Sequence, residues 1–282
     1  MRLGEWLEKW LSLYVDGSTL APSTKACYHR AVAAVPDELC SIELVALNAL
    51  DILPWIQLVA ASHPRAAQLD RVMLSKALRT ASKVGLCPPG IIEPETVPKP
   101  LYEAPEALIL NLEQLRRYMT AAASTDVAPV LMLCCCGLRR GEALGARWED
   151  VDLVAGTITI RGQRRGSSRV PLKTRHSLRR LQLPDQVAEL LRAWPRSVSG
   201  WLCDTTQQRV YAAHRRILQE ESLPQVTLHG LRHSFATAAV MEGVPVKLLQ
   251  NALGHGHYAI TADLYADHLP SLSAVPHQVL FA

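Results

Sequence analysis

The sequence predicts a mainly α protein in two domains: an all-helical N-terminal unit, then a mixed α+β domain with a small three-stranded antiparallel sheet. Three observations predict it. Apolar residues recur at spacings of three and four through residues 1–86. Six prolines crowd residues 88–105, PPGIIEPETVPKPLYEAP, where neither a helix nor a central strand can run. Between residues 156 and 183 the period shifts from helical stripes to short runs rich in β-branched residues.

The first helix spans Gly4 to Val15, where Trp6, Leu7, Trp10, Leu11 and Tyr14 share a face. The second follows Ser23, a candidate N-cap, and runs to about Val35. The third covers about Leu47 to Ala61, with Pro54 kinking or restarting it. The fourth, about Arg65 to Val84, aligns Leu69, Val72, Met73, Lys76, Ala77 and Thr80 in a stripe expected to be core, and stops at Gly85. The domain organisation is therefore 1–87 helical, 88–105 an extended linker and 106–282 the second domain. That domain opens with helices near 112–123 and 126–137. Strands follow at 156–161, 169–173 and 180–183, then helices near 185–194, 206–221, 230–242, 245–252 and 259–267.

The length of 282 residues suits about two domains, and a hydrophobic content of 49% excludes a largely disordered chain. No uncharged run is long enough for a membrane helix. The start, MRLGEWLEKWL, carries acids inside its apolar run and is not a signal peptide. Seven cysteines include no CxxC pair, and Cys134, Cys135 and Cys136 sit in the apolar run VAPVLMLCCCGL. They read as small buried residues in a protein of the reducing cytoplasm. The net charge of +4 is uneven: residues 161–180 carry eight basic residues and no acid, leaving 22 basic against 26 acidic elsewhere. Such a run is either a solvated basic hairpin or a surface for a polyanion.

Several chemistries lack their residues. His229 and His233 have the i,i+4 spacing of a zinc pair, but Gly230 stands where the metalloprotease motif needs Glu. His255 and His257 add no carboxylate or thiolate at a usual metal spacing. Neither a GxSxG elbow nor a GxxxxGK[ST] loop occurs. What remains is rich in Arg, His, Lys and Tyr, a set suited to a phosphorane whose negative charge needs fixed cationic donors.

Three blocks carry these residues: GLRRGEALGARWEDVDL, HGLRHSFATAAVMEGV and LGHGHYAITADLYADH. In order they resemble the G-L-R-x-x-E, H-x-L-R-H and L-G-H…Y blocks of the tyrosine recombinase (phage integrase) family. VPLKTRHSLRRLQLP resembles its lysine hairpin. The likeness spans about residues 105–268, and the helical unit resembles the family's core-binding domain. It implies a site-specific recombinase that cuts and rejoins DNA through a 3′-phosphotyrosyl intermediate, without metal, ATP or other cofactor. Arg139 and Arg232 would clamp the scissile phosphate. Lys173 would protonate the departing 5′-hydroxyl, and His229 would assist proton transfer at the nucleophile. His255 would donate a hydrogen bond to the phosphate, and Tyr265 would be the nucleophile. Arg140 is the rival of Arg139, and Tyr258 of Tyr265. Arg161, Arg164, Arg165, Arg169 and Arg175 are the expected DNA-binding residues of the hairpin.

The resemblance further implies a clamp around double-stranded DNA at core attachment sites and a homotetramer on that DNA. A directionality factor is a possible further partner, and the expected location is the cytoplasmic nucleoid. The uncharged tail, residues 269–282, would dock on a neighbouring subunit or pack on its own domain. The core-binding pattern begins almost at Met1, so an arm-binding domain is not expected. Integration or excision of a phage or mobile element is the leading role. A Xer-like resolvase of chromosome or plasmid dimers is the alternative. A type IB topoisomerase-like enzyme and an inactive DNA-binding protein are further ones.

Overall fold

The computed structural model describes residues 1–103, 106–172 and 177–254. The chain divides into two compact units, Met1–Pro105 and Glu106–Ala282. In the first, α1 (Leu3–Trp10) runs into a π-helical turn (Leu11–Asp16), followed by α2 (Pro22–Ala33), α3 (Asp37–Cys40), α4 (Ala49–Ser62) and α5 (Pro64–Lys83). Ser23 does not cap α2: Ala21 holds the N-cap and Pro22 is the first helical residue. Proline's fixed φ and missing N–H suit that position. Asn48 caps α4, accepting from the Leu50 amide at 2.8 Å, while the Asp51 carboxylate accepts from the Asn48 amide at 3.0 Å. The helix continues through Pro54. The four-residue α3 is too short to show a period.

The buried face of α5 is rotated from the expected stripe. Met73 and Ala77 are buried, but Leu69 and Val72 are 41% and 43% exposed. Ala67, Leu74, Leu78 and Ala81 take the inner positions. Alanine adds little to an apolar stripe read from sequence, yet it lets neighbouring elements approach the helix backbone closely. The Trp6 indole donates to the Ala77 carbonyl at 2.9 Å, tying α1 to that face.

The proline-rich segment is extended but is not a free linker. Ile91, Ile92 and Val97 enter the first core. Its backbone carbonyls find donors on α5: Gln68 Nε2 reaches Pro100 O at 2.7 Å and Arg71 Nε reaches Val97 O at 2.5 Å. A local turn, in which the Val97 amide donates to Glu93 O at 2.9 Å, and the side chains of a neighbouring helix thus hold the segment together.

The second unit contains α6 (Leu112–Ala123), α7 (Ala128–Cys135) and α8 (Arg140–Leu144). Strands β1 (Val151–Asp152), β2 (Thr157–Ile160), β3 (Gly162–Arg165), β4 (Ser168–Pro171) and β5 (Arg179–Gln182) follow. Then come α9 (Asp185–Ala193), α10 (Gln207–Glu220), α11 (Leu228–Met241) and α12 (Val246–Leu253). The three-stranded antiparallel sheet has the order β1-β2-β5, and β3–β4 form a separate hairpin. The expected meander thus becomes two sheets. The two-residue β1 is too short to alternate, and Gly162–Arg165 carries no β-branched residue.

Every residue of α7 is buried. Burial pushes the Cys134 thiol up to about 12, with Cys136 and Glu142 adding to the effect, so it packs as a small apolar group. Against this core Tyr118 Oη lies 2.7 Å from His214 Nδ1, and His214 Nε2 lies 2.8 Å from the Val226 carbonyl. The carbonyl can only accept, so Nε2 carries the proton and Nδ1 accepts from the tyrosine hydroxyl. Replacing Leu74, fully buried, with Ala should cost about 2–5 kcal/mol in urea unfolding. Leu69→Ala on the exposed face should stay within about 0.5 kcal/mol; equal losses would contradict the rotated face.

Candidate active site

The site is built around the end of α12. The last carbonyls of a helix have no partner within it. Here three successive ones are taken by three arginines. Arg179 Nε donates to Ala252 O at 2.6 Å, Arg232 Nη2 to Leu253 O at 2.8 Å, and Arg139 Nη2 to Gly254 O at 3.3 Å. Gly254 turns the chain out of the helix at φ 68°, a left-handed conformation that glycine adopts without strain.

Each arginine arrives from a different element. Arg139 is the N-cap of α8, while Arg232 lies in the first turns of α11, is buried, and also donates to Gly137 O at 2.7 Å. Arg179 opens β5, where strand alternation turns it inward and Arg180 outward to Asp152. Arg140 diverges from its neighbour: its guanidinium bonds the Tyr211 hydroxyl and lies 5.5 Å from that ring. Between the two rivals, Arg139 is the one at the cluster.

Glu142 sits between two of these cations. Its Oε1 accepts from Arg139 Nη1 at 2.9 Å, and its Oε2 accepts from Arg179 Nη2 at 2.8 Å and from the Arg139 amide at 3.0 Å. Burial alone would raise its pKa. The hydrogen bonds and charges of Arg179 and Arg139 outweigh it and hold the carboxyl below its usual range.

His229, one turn before Arg232, keeps exposed surface. The protein massed around it, then His233, Arg232 and Arg139, lower its pKa to about 4. It is therefore a neutral base at physiological pH. The His233 ring meets it edge-on, with centroids 4.5 Å apart. The structure thus brings Arg139, His229 and Arg232 together. Lys173, Arg175, His255 and Tyr265, with the rival Tyr258 and the tail, lie outside the described residues.

The basic run is largely committed to internal partners. Arg169 pairs with Glu149 at 3.1 Å and Asp150 at 2.6 Å, and Arg161 with Asp150 at 3.5 Å. Arg164 stacks 4.8 Å from the Trp201 ring and donates to Thr205 O at 3.0 Å. Arg165 is exposed beside the hairpin turn. Arg169, expected from the sequence to contact DNA, anchors the hairpin, because two carboxylates of the Trp148–Asp150 turn face it. The hairpin also lies against α8, where a Cβ on Gly145 would meet Arg164 N at 2.5 Å. Arg179 escaped sequence reading because it stood among eight basic residues; the period-2 alternation of β5 was the signal that separates it from Arg180.

Two outcomes follow from this geometry. Gly145→Ala should push β3 from α8 and cost about 1–3 kcal/mol in urea unfolding; unchanged stability would contradict the close approach. In an NMR titration the His229 ring should protonate with a midpoint near 4. Arg139→Ala should raise that midpoint by removing a positive neighbour, and a wild-type midpoint near the ordinary histidine value of about 6.5 would refute the assignment.

Residues 109–271, more than half of the chain, match the model of the phage integrase family. The tyrosine recombinase XerA of Thermococcus kodakarensis is 30% identical over 185 residues, covering 60% of each chain. Prophage integrase IntF of Escherichia coli K12 is 29% identical over 171 residues, covering 55% of this chain and 34% of IntF. A XerC-like tyrosine recombinase of Caldanaerobacter subterraneus is 26% identical over 48% of this chain and 43% of its own. The chain thus matches about half the length of these curated relatives. In fold it is similar to the Tn1549 transposon integrase in complex with a circular intermediate DNA. That likeness has a TM-score of 0.76 at 17% identity, covering 94% of this chain and 95% of that one. It is similar, too, to a lambda integrase tetramer bound to a Holliday junction, at a TM-score of 0.73 and 16% identity over 94% and 77% of the two chains. The chain belongs to the phage integrase family of tyrosine recombinases.

Proposed function

We propose that the chain is a site-specific DNA recombinase that integrates or excises a mobile element through a 3′-phosphotyrosyl intermediate. The observation that carries this reading is the meeting of Arg139 and Arg232 at one helix end beside a neutral His229. A guanidinium Nη bears two hydrogens, so at Arg139 one can hold the Gly254 carbonyl while the other meets a phosphate oxygen. The two arginines hold the non-bridging oxygens and offset the charge that builds in the phosphorane.

Tyr265 attacks the phosphorus and gives its proton to His229, which is able to accept it because it is uncharged. The bond from phosphorus to the 5′-oxygen breaks, and that oxygen takes a proton from Lys173. His255 donates a hydrogen bond to the phosphate. A 5′-hydroxyl from the partner strand then displaces Tyr265 by the reverse path. The bond energy is kept in the phosphotyrosyl link, so no ATP is consumed and no metal or other cofactor takes part.

The partner is double-stranded DNA at core attachment sites, met by the second unit along Arg165, Arg164, Arg161 and Arg175. The first unit, with the 88–105 segment, covers DNA as a core-binding domain. A homotetramer is supported by the lambda integrase tetramer bound to a Holliday junction, and a DNA partner would place it in the cytoplasmic nucleoid. A Xer-like resolvase is the second reading; the likeness to XerA is matched by that to prophage integrase IntF.

A pool of nicked suicide duplexes with randomised cores, incubated with the full chain in EDTA, should yield a detergent-resistant protein–DNA adduct whose sequence reports the site. Tyr265→Phe should abolish the adduct and Tyr258→Phe should retain it. A wild-type protein without adduct, or an adduct surviving Tyr265→Phe, would overturn the reading.

A further inference from the structure

We propose that Arg179 is a positioning residue that cancels the charge of Glu142 and so leaves Arg139 free to act on an anion. The inference rests on the reading of Arg139 as a phosphate ligand. A carboxylate 2.9 Å from Arg139 would by itself neutralise it. Glu142 is almost wholly buried, its side chain 3% exposed, where screening by water is weak and the cancellation is strong. Arg179 meets both carboxylate oxygens, Nη2 to Oε2 at 2.8 Å and Nη1 to Oε1 at 3.3 Å. This is the two-pronged geometry in which an arginine binds a carboxylate best.

The three groups therefore carry one net positive charge. Its outward end is Arg139, whose side chain is 37% exposed against 6% for Arg179. Arg179 is itself kept from any ligand. Besides its two bonds to Glu142 it donates to Ala252 O at 2.6 Å and Ser177 O at 3.0 Å, so four of its five guanidinium hydrogens are taken. Its influence on an anion passes through Glu142 and through the end of α12. Glu142 keeps its own use: it caps α8 through the Arg139 amide and fixes the Arg139 guanidinium. The pair thus provides orientation without loss of charge.

The test measures adduct formation by the full chain on the duplex recovered from the randomised pool. Arg179→Met should slow it by about 100-fold, the scale of losing one preorganised charge donor. Glu142→Gln combined with Arg179→Met removes the opposing charges together and should recover about ten-fold over Arg179→Met alone. A second substrate carries a methylphosphonate at the scissile position. It lacks the charged non-bridging oxygen, so the Arg179→Met deficit should shrink on it, as should that of Arg139→Ala. A protein that has merely lost its fold would show the same deficit on both substrates. A double variant no faster than Arg179→Met, or an equal deficit on both substrates, would overturn the inference. An Arg139→Ala variant as active as wild type would instead overturn the reading beneath it. If Arg179→Met fails to melt cooperatively, the double variant is compared with Glu142→Gln alone: a loss of more than ten-fold on adding Arg179→Met to Glu142→Gln sinks the proposal.

Discussion

The carbonyl end of α12 is the constraint on which the rest of the site depends. A helix C terminus carries partial negative charge and unpaired acceptors, and three guanidiniums from three distant segments are spent on it. Each is fixed by a backbone atom, which cannot change with side-chain substitution. Arg139, Arg179 and Arg232 are far apart in sequence, yet one short run of backbone sets their spacing. The first block of the family signature reaches this point through α8, the second through α11, and the third begins where α12 ends.

Charge is organised with the same economy. The excess of eight basic residues at 161–180 looked like a single surface. Among its described members, Arg161, Arg169, Arg179 and Arg180 each pair with a carboxylate. Those acids, Glu142, Glu149, Asp150 and Asp152, lie in the GEALGARWEDVD stretch just upstream. The upstream acids and the basic run are two halves of one internal network. The outward field comes from fewer side chains than composition suggests, with Arg165 and the exposed part of Arg139 among them.

Much of the fold was legible in the sequence because most helices are long enough to show their period, and α6 matches its expected limits residue for residue. The errors have physical causes. On α5 alanines take core positions that a stripe of larger residues claimed, so the buried face was read one step around the helix. Proline excludes regular structure, which gives the 88–105 segment the look of a linker in sequence, but it does not prevent packing, and Ile91, Ile92 and Val97 pack. At the site, Arg139, His229 and Arg232 were legible because their blocks are several residues long. Arg179 was not, since its role depends on Glu142 and Ala252, which no local pattern links to it.

The grip on α12 also separates two kinds of sequence change. Ala252 and Leu253 are recognised through their carbonyl oxygens, so the cluster is indifferent to much of their side-chain chemistry. Helical phase is another matter. Each residue advances the backbone by about 100°, so one inserted or deleted residue in α12 would turn all three acceptors away from their arginines at once. The arginine contacts therefore read the length of the helix, while Leu253 is constrained separately by its place in the buried cluster of Ala236, Val240 and Leu249.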